Sequence, residues 1–346
     1  MSFQSLEGIQ SLALVGATGI VGREFLSILN DNRIKIPRLK LLASELSVGS
    51  TLEVAETELY VEELNEASFD GVEAAFFSAP ANVTREYVPR AVEAGAIVVD
   101  DSSCFRLERG VPLIIPEING ALLKDFEGRI ISTPNCAATP IAMALKPLQE
   151  RYGIRRVVAT TFQSVSGAGR KAVDELSAQT AALLNGKTSP TEVFPHRIAF
   201  NCLPLIGPAL DNGDSDEETK VVKELRKILE LPSLLVSATC VRVPTFCGHG
   251  VSLNVELMKE PDTLDVVSEL LDSFAGVRVV DKPSGGIYAT NVEASGGDDV
   301  FVSRIRRDYS LSNGLNMWVM TDNLRKGAAL NALQILDTLY TYRRMS

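Results

Sequence analysis

Cys136 lies in the run Ser132-Thr-Pro-Asn-Cys-Ala-Ala-Thr139, which is followed by Pro140 and the apolar stretch Ile141-Ala-Met-Ala-Leu145. Pro140 suits the first position of a helix, because its missing N–H would be unpaired there anyway, and Thr139 then reads as the N-cap. Cys136 is therefore expected just outside a helix N-terminus, where free N–H groups and the positive dipole end stabilise a thiolate and would hold an oxyanion. A thiolate so placed attacks a carbonyl and departs again readily. A buried structural cysteine is the plain alternative for any single thiol. Further along stand Gln163 at the end of a strand-like run, Arg242 within another, and His249 in a glycine-flanked turn. Taken singly these read as a strand cap, an ion-paired arginine and a loop imidazole.

The rest of the composition narrows the classes. A chain of 346 residues is long enough for about two domains with full cores. With 45% hydrophobic and 23% charged residues it has the make-up of an ordinary globular protein. A formal charge of −10 argues against a nucleic-acid partner. No apolar run approaches the roughly eighteen residues a membrane span requires, and residues 1–8 lack the basic and apolar regions of a signal peptide. A cytoplasmic location is the expectation. Five cysteines without a Cys-x-x-Cys pair indicate neither a disulfide framework nor a thiolate metal site. No metal is expected, and the two histidines, His196 and His249, are the whole imidazole supply.

The elements that must position these groups follow from periodicity. Ser11-Leu-Ala-Leu-Val15 reads as a buried strand, Gly16-Ala-Thr-Gly-Ile-Val-Gly22 as a glycine turn, and Val21, Phe25, Ile28 and Leu29 as one face of a helix. Strand, glycine turn and helix in that order form the setting of a dinucleotide site, although the spacing is G-x-x-G-x-x-G. Arg38–Ser44, Val72–Ser78, Ala96–Asp100 and Arg129–Ser132 supply further strands, with a helical stretch from Thr84 to Ala94. Such alternation predicts a mostly parallel sheet covered on both faces.

Beyond the cysteine, Val157–Phe162, Ala238–Pro244, Val251–Leu257, Val300–Ile305 and Leu315–Met320 read as a largely antiparallel set, with helices at Lys171–Leu184 and Thr219–Leu229. Asp322-Asn323 opens a final helix from Arg325 to about Tyr342. The predicted fold is α/β: a Rossmann-type dinucleotide-binding domain over 1–136, and an α+β domain with a mostly antiparallel sheet over 137–322, which the family resemblance set out below implies is the catalytic and dimerisation domain. The helix of 323–346 is expected to pack back on the first domain.

The order Asn135-Cys136, Gln163, Arg242, His249 resembles the active site of the aspartate-β-semialdehyde dehydrogenase family. Val111-Pro-Leu-Ile-Ile-Pro-Glu-Ile-Asn119, Val165-Ser-Gly-Ala-Gly169, Ala199-Phe-Asn201, Glu217-Glu-Thr-Lys220 and Asp322-Asn-Leu-Arg-Lys-Gly-Ala-Ala329 extend the resemblance over nearly the whole chain. It implies NADP-dependent, reversible reductive dephosphorylation of L-aspartyl-4-phosphate to the semialdehyde, a step of lysine (diaminopimelate), threonine and methionine biosynthesis. It further implies a cytoplasmic homodimer with a small-molecule substrate and inorganic phosphate as partners, and neither nucleic acid nor membrane.

By the same resemblance Cys136 is the nucleophile that forms a thioester, and His249 is the acid/base that takes the thiol proton, with a pKa near 6.5 suited to both directions. Arg242 is expected to hold the substrate carboxylate, Gln163 to orient the substrate, and Glu217 to meet the substrate ammonium or steady Lys220. Arg106 and Lys220 are the expected phosphate ligands, and Asn135 a candidate for the oxyanion hole. The cofactor residues implied are Gly16, Thr18, Gly19, Ile20, Val21, Gly22, Ser44, Leu46, Ser47, Ser166, Gly167 and Asn323.

Three positions depart from the family pattern. Leu46 stands between Glu45 and Ser47 where an arginine usually meets the adenosine 2′-phosphate, so NADP and NAD both remain open. Ser78-Ala-Pro-Ala81 replaces a Gly-Gly loop, and Ala137-Ala138 replaces a hydroxyl after the cysteine. The alternatives carried are an N-acetyl-glutamyl-phosphate reductase-like enzyme and a catalytically lapsed nucleotide-binding paralogue.

Overall fold

A computed structural model describes residue 3 and residues 5–345. The chain divides into two compact units, Met1–Asn135 with Ala328–Ser346, and Cys136–Gly327.

In the first unit seven strands form one sheet: β1 Ser11–Val15, β2 Arg38–Ala43, β3 Thr51–Val54, β4 Thr57–Glu63, β5 Ala74–Phe77, β6 Ile97–Asp100 and β7 Ile130–Ser132, in the order β3-β4-β2-β1-β5-β6-β7. All pairs are parallel except β3 with β4. β1, β5 and β6 are buried along their whole length, which is why they read as unbroken apolar runs. Helix α1, Ile20–Asp31, presents Phe25, Leu26, Ile28 and Leu29 to the core, where Phe25 stacks on Phe76 at 4.9 Å between ring centres. Helix α2, Ala81–Glu93, starts three residues before the expected Thr84 and buries Val88 and Ala91. The final helix, Leu330–Met345, buries Leu330, Leu333 and Leu336 in that same core. Each such leucine contributes about 2 kcal/mol of burial. Arg325–Ala329, expected to open this helix, adopts the wider π form.

In the second unit six strands form the sheet: β8 Ile154–Gln163, β9 Leu235–Arg242, β10 His249–Leu257, β11 Val277–Val279, β12 Val300–Asp308 and β13 Gly314–Thr321, in the order β11-β12-β13-β10-β8-β9. β10 is antiparallel to both neighbours, β12 pairs antiparallel with β13, and β8/β9 and β11/β12 are parallel. This topology brings chemistry to one sheet edge. The C-terminal ends of β8 and β9 and the N-terminal start of β10 fall side by side, with Gln163 opposite Arg242 and Gly250 opposite Phe162. Helix α3, Ala138–Tyr152, α4, Arg170–Leu184, and α5, Asp216–Ile228, belong to this unit. Among the described residues no helix is long and apolar enough to cross a membrane.

Two helix starts in this unit also differ from the reading of the sequence. α3 begins at Ala138 with Ala137 at the N-cap, so Thr139 and Pro140 are the second and third helical residues. Proline fits there because the first-turn N–H groups have no intrahelical partner in any case. α5 begins at Asp216, not Thr219, because Ser215 and Glu218 close a capping box around its first turn.

Candidate active site

Within the second unit Cys136 directly precedes the N-cap of α3 and is half-buried. Its Sγ is 3.3 Å from Nε2 of His249. The histidine is fully buried at the first position of β10. Its Nδ1 accepts the main-chain N–H of Ser164 at 3.2 Å, and the Ser164 hydroxyl also lies 3.2 Å away. Burial, followed by the nearby Arg242 charge, lowers the imidazole pKa to about 3. This corrects the expected near-neutral value: the ring is uncharged at working pH.

Arg242, at the end of β9, is buried and directs Nη1 to the Ser164 carbonyl at 2.7 Å. Burial pulls its pKa down from the usual guanidinium value, yet arginine holds its charge. Gln163, its partner across the strands, is buried and donates through Nε2 to Glu217 Oε1 at 3.4 Å and to Thr161 Oγ1 at 3.3 Å. Glu217 is positioned by the cap of α5. The Glu218 carboxylate accepts the Ser215 N–H at 2.6 Å and, from the other oxygen, the Cys240 N–H on β9 at 3.0 Å. Lys220 lies 2.6 Å from Asp216 and 3.8 Å from Glu217, so Asp216 is the closer of its two carboxylates.

A signal missed in the sequence is the hub at Asn323. Its Oδ1 accepts from Ser164 Oγ at 3.1 Å, Ser166 Oγ at 3.2 Å and the Gly248 N–H at 2.9 Å, while Nδ2 donates to Ser166 Oγ at 3.0 Å. Nothing in local pattern joins Asn323 to Ser164; only the strands that lead to each, β13 and β8 on either side of β10, do. Space is tight around two glycines. A Cβ on Gly167 would lie 3.0 Å from Arg242 Nη1 and 3.1 Å from His249 Nε2, and one on Gly327 would lie 3.0 Å from Cys136 Cβ. Two neighbouring thiols are unsuited to attack: burial pushes Cys240 and Cys247 up to about 12.

The first unit carries the glycine turn, with Arg106 and Asn135. Gly16 has φ of +87°, and a Cβ there would lie 2.1 Å from the Ser78 carbonyl oxygen. Gly19 caps α1 with no side-chain bond to the first-turn N–H groups. An uncapped helix start of this kind suits a pyrophosphate, so the turn with Ile20, Val21 and Gly22 fits a dinucleotide. Thr18 Oγ1 meets Ser47 Oγ at 3.2 Å, and Arg23 lays Nε on the Thr18 carbonyl at 3.2 Å. Leu46 is 98% exposed in the short turn after β2, with exposed Ser44 before it. Arg106 is buried with Nη2 donating to the Asp101 carbonyl at 2.7 Å, and Asn135 is buried next to Cys136 in the chain. Among the described residues no group of three or more His, Cys, Asp or Glu could hold a metal ion.

A dinucleotide-type unit joined to a unit that pairs a thiol with a buried imidazole defines a cysteine-dependent oxidoreductase. Profiles of the semialdehyde dehydrogenase NAD binding domain and dimerisation domain match residues 11–126 and 145–326. The chain belongs to the semialdehyde dehydrogenase family. It is 47% identical over 331 residues to an aspartate-semialdehyde dehydrogenase of Legionella pneumophila, covering 95% of each chain. It is 42% identical over 335 residues to that of Bacillus subtilis (strain 168), covering 95% of this chain and 96% of the other. Aspartate semialdehyde dehydrogenase II of Vibrio cholerae, crystallised in complex with ASA, is 40% identical with a TM-score of 0.91, over 96% of this chain and 98% of that one.

Proposed function

We propose that this enzyme reduces L-aspartyl-4-phosphate to L-aspartate 4-semialdehyde, reversibly, with NADPH. The observation that carries this reading is the Cys136–His249 contact of 3.3 Å at a strand edge that also presents Gln163 and Arg242. The Cys136 thiolate attacks the acyl carbon; the C–S bond forms, the C–O bond to phosphate breaks, and a thioester remains. A dinucleotide held at the glycine turn before α1 would supply the hydride. The semialdehyde is released as the sulfur departs.

Arg242 suits the substrate α-carboxylate as a two-point donor, and Glu217 suits the α-ammonium. That pairing favours an amino acid with an uncovered ammonium over its N-acetylated analogue. Lys220 and Arg106 are the proposed phosphate ligands, and Asn135 an oxyanion donor. Gly16, Thr18, Gly19, Ile20, Val21, Gly22, Ser44, Leu46, Ser47, Ser166, Gly167 and Asn323 are the proposed cofactor contacts.

NADP is favoured over NAD by the Thr18–Ser47 hydroxyl pair with Arg23 beside it, a cation and two donors where position 46 offers none. A homodimer is supported by the matched dimerisation domain. The cytoplasm is the proposed location. The deciding assay is phosphate-dependent oxidation of the semialdehyde, run in parallel with NADP and NAD. Turnover with aspartate semialdehyde and not with the N-acetyl-glutamate analogue is expected. The Arg23→Ala variant should weaken NADP binding about tenfold and leave NAD binding unchanged. Equal weakening of both would remove Arg23 from the 2′-phosphate.

A further inference from the structure

Among the described residues, those from 185 to 215 form neither helix nor strand, a span far longer than most connections in a compact unit. The main chain of this loop is held instead by two side chains one turn apart on α4. Gln179 is fully buried, and every hydrogen-bonding position of its amide is filled. Oε1 accepts the N–H groups of Ile198 at 3.0 Å and Ala199 at 3.2 Å, while Nε2 donates to the Pro190 carbonyl at 3.1 Å and to Glu175 Oε1 at 2.9 Å. Main-chain N–H groups can only donate, so the amide has one orientation. The other Glu175 oxygen accepts the N–H groups of Glu192, at 3.0 Å, and Val193.

Beyond this anchor the loop meets the candidate site twice. Ile198, Ala199 and Leu203 pack in one cluster with Val165, Ala172 and Leu176. Phe200 turns the chain between them at a φ of +58°, a region disfavoured for any residue with a Cβ, and the Asn201 N–H closes the turn on the Ile198 carbonyl at 3.0 Å. Leu203 then exchanges two hydrogen bonds of 2.9 Å with the main chain of Arg242. Further along, Ala209 bridges Ser215, and the Pro208 carbonyl accepts the Asp216 N–H at 2.9 Å, which seats the first turn of α5 directly before Glu217.

We propose that the loop of residues 185–215 sets Arg242 and Glu217 at the spacing an α-amino acid requires, and that Gln179 is the positioning residue that anchors it. The inference rests on the reading of Arg242 and Glu217 as the carboxylate and ammonium ligands. Those two side chains stand on different elements, β9 and α5, and the loop is bonded to the main chain of both. Cys136 and His249 stand on neither. Loosening the loop therefore weakens the hold on the amino acid and leaves the thiol chemistry in place.

Gln179→Leu keeps nearly the same shape and strips all four bonds. It should raise the KM for aspartate semialdehyde about five- to tenfold, with kcat and the KM for the nucleotide within about twofold of native. Hydrogen exchange read by mass spectrometry should show the amides of residues 190–203 and of Arg242 exchanging at least about tenfold faster. Faster exchange with an unchanged semialdehyde KM, or an equal rise in the nucleotide KM, overturns the proposal.

A paired exchange covers the case in which that variant does not fold. Gln179→Glu alone sets a carboxylate against Glu175 and should raise the semialdehyde KM at least as far. Adding Glu175→Gln restores a donor between the two side chains and leaves an acceptor for Ile198 and Ala199, so the KM should return to within about threefold of native. Stability restored with the KM still raised contradicts the positioning role. Should the native enzyme fail to turn over aspartate semialdehyde, the substrate reading fails, and the exchange rate of the Arg242 amide still decides whether Gln179 anchors the loop.

Discussion

A single sulfur carries the reaction, and the residues around it differ in what they leave behind when removed. Cys136→Ala is expected to abolish turnover while dinucleotide binding persists, because the glycine turn belongs to other elements; equilibrium dialysis beside the activity assay checks this. Continued turnover would show that the thiol is not the nucleophile. Arg242→Lys keeps the charge but loses the planar fork. It should raise the KM for the semialdehyde about tenfold or more with a far smaller change in the KM for the nucleotide. Lys cannot reproduce the guanidinium donation to the Ser164 carbonyl while still reaching a carboxylate, so the loss falls on substrate. At this scale the identities were legible: a thiol before an apolar helix, an imidazole among glycines and an arginine in a strand are chemical types a sequence displays. Ionisation was not. The pKa of about 3 at His249 arises from complete burial and the Arg242 charge, neither of which neighbours it in the chain.

Strand register and helix caps turn those residues into a site. Gln163 meets Arg242 because β8 and β9 run parallel in register, and His249 joins them because β10 runs the other way. Periodicity located these strands well, since their apolar residues recur at every second position or in unbroken runs. The β3–β4 hairpin escaped notice for the opposite reason: Glu53, Glu58, Glu62 and Glu63 leave it only Leu59-Tyr60-Val61 as an unbroken apolar stretch, too short to stand out. The start of α5 was read three residues late because its acidic first turn looked like a solvated loop, whereas acids there complement the helix dipole.

Glu218 is the test of this scale. It closes the capping box and also covers the Cys240 N–H on β9, fixing where Glu217 points. Glu218→Ala should cost about 1–3 kcal/mol of stability in urea unfolding. It should also raise the substrate KM, because Glu217 loses its setting relative to Gln163. A stability loss with unaltered KM would mean that Glu217 is held by other contacts.

The whole chain divides its labour between two sheets of different design, and that was visible in the sequence as a change from unbroken apolar runs separated by helices to longer alternating strands. Less visible is how its stability depends on pH. Asp100, fully buried at the end of β6, has its carboxyl raised by burial to about 7, against Ser102 hydrogen bonds that act the other way. Unfolded, that carboxyl titrates near its ordinary value of about 3.9. Between those values the native state keeps a proton that the unfolded chain releases, so stability falls as pH rises through the window. The loss is on the order of 2–4 kcal/mol if Asp100 acts alone. The depressed carboxylates Asp262, Glu293 and Asp308 contribute in the opposite sense, but they sit in solvent and their effect is screened. Asp100→Asn, which keeps the shape and cannot ionise, should therefore raise stability at about pH 7.5 and raise it only about a quarter as much at about pH 4.5. Circular dichroism during denaturant unfolding reads the whole molecule, while the fluorescence of Trp318, the one tryptophan, reads the second unit. The gain should appear in the transition that circular dichroism assigns to the first unit; an equal gain at both pH values would show that Asp100 is ionised throughout and that burial does not govern its proton.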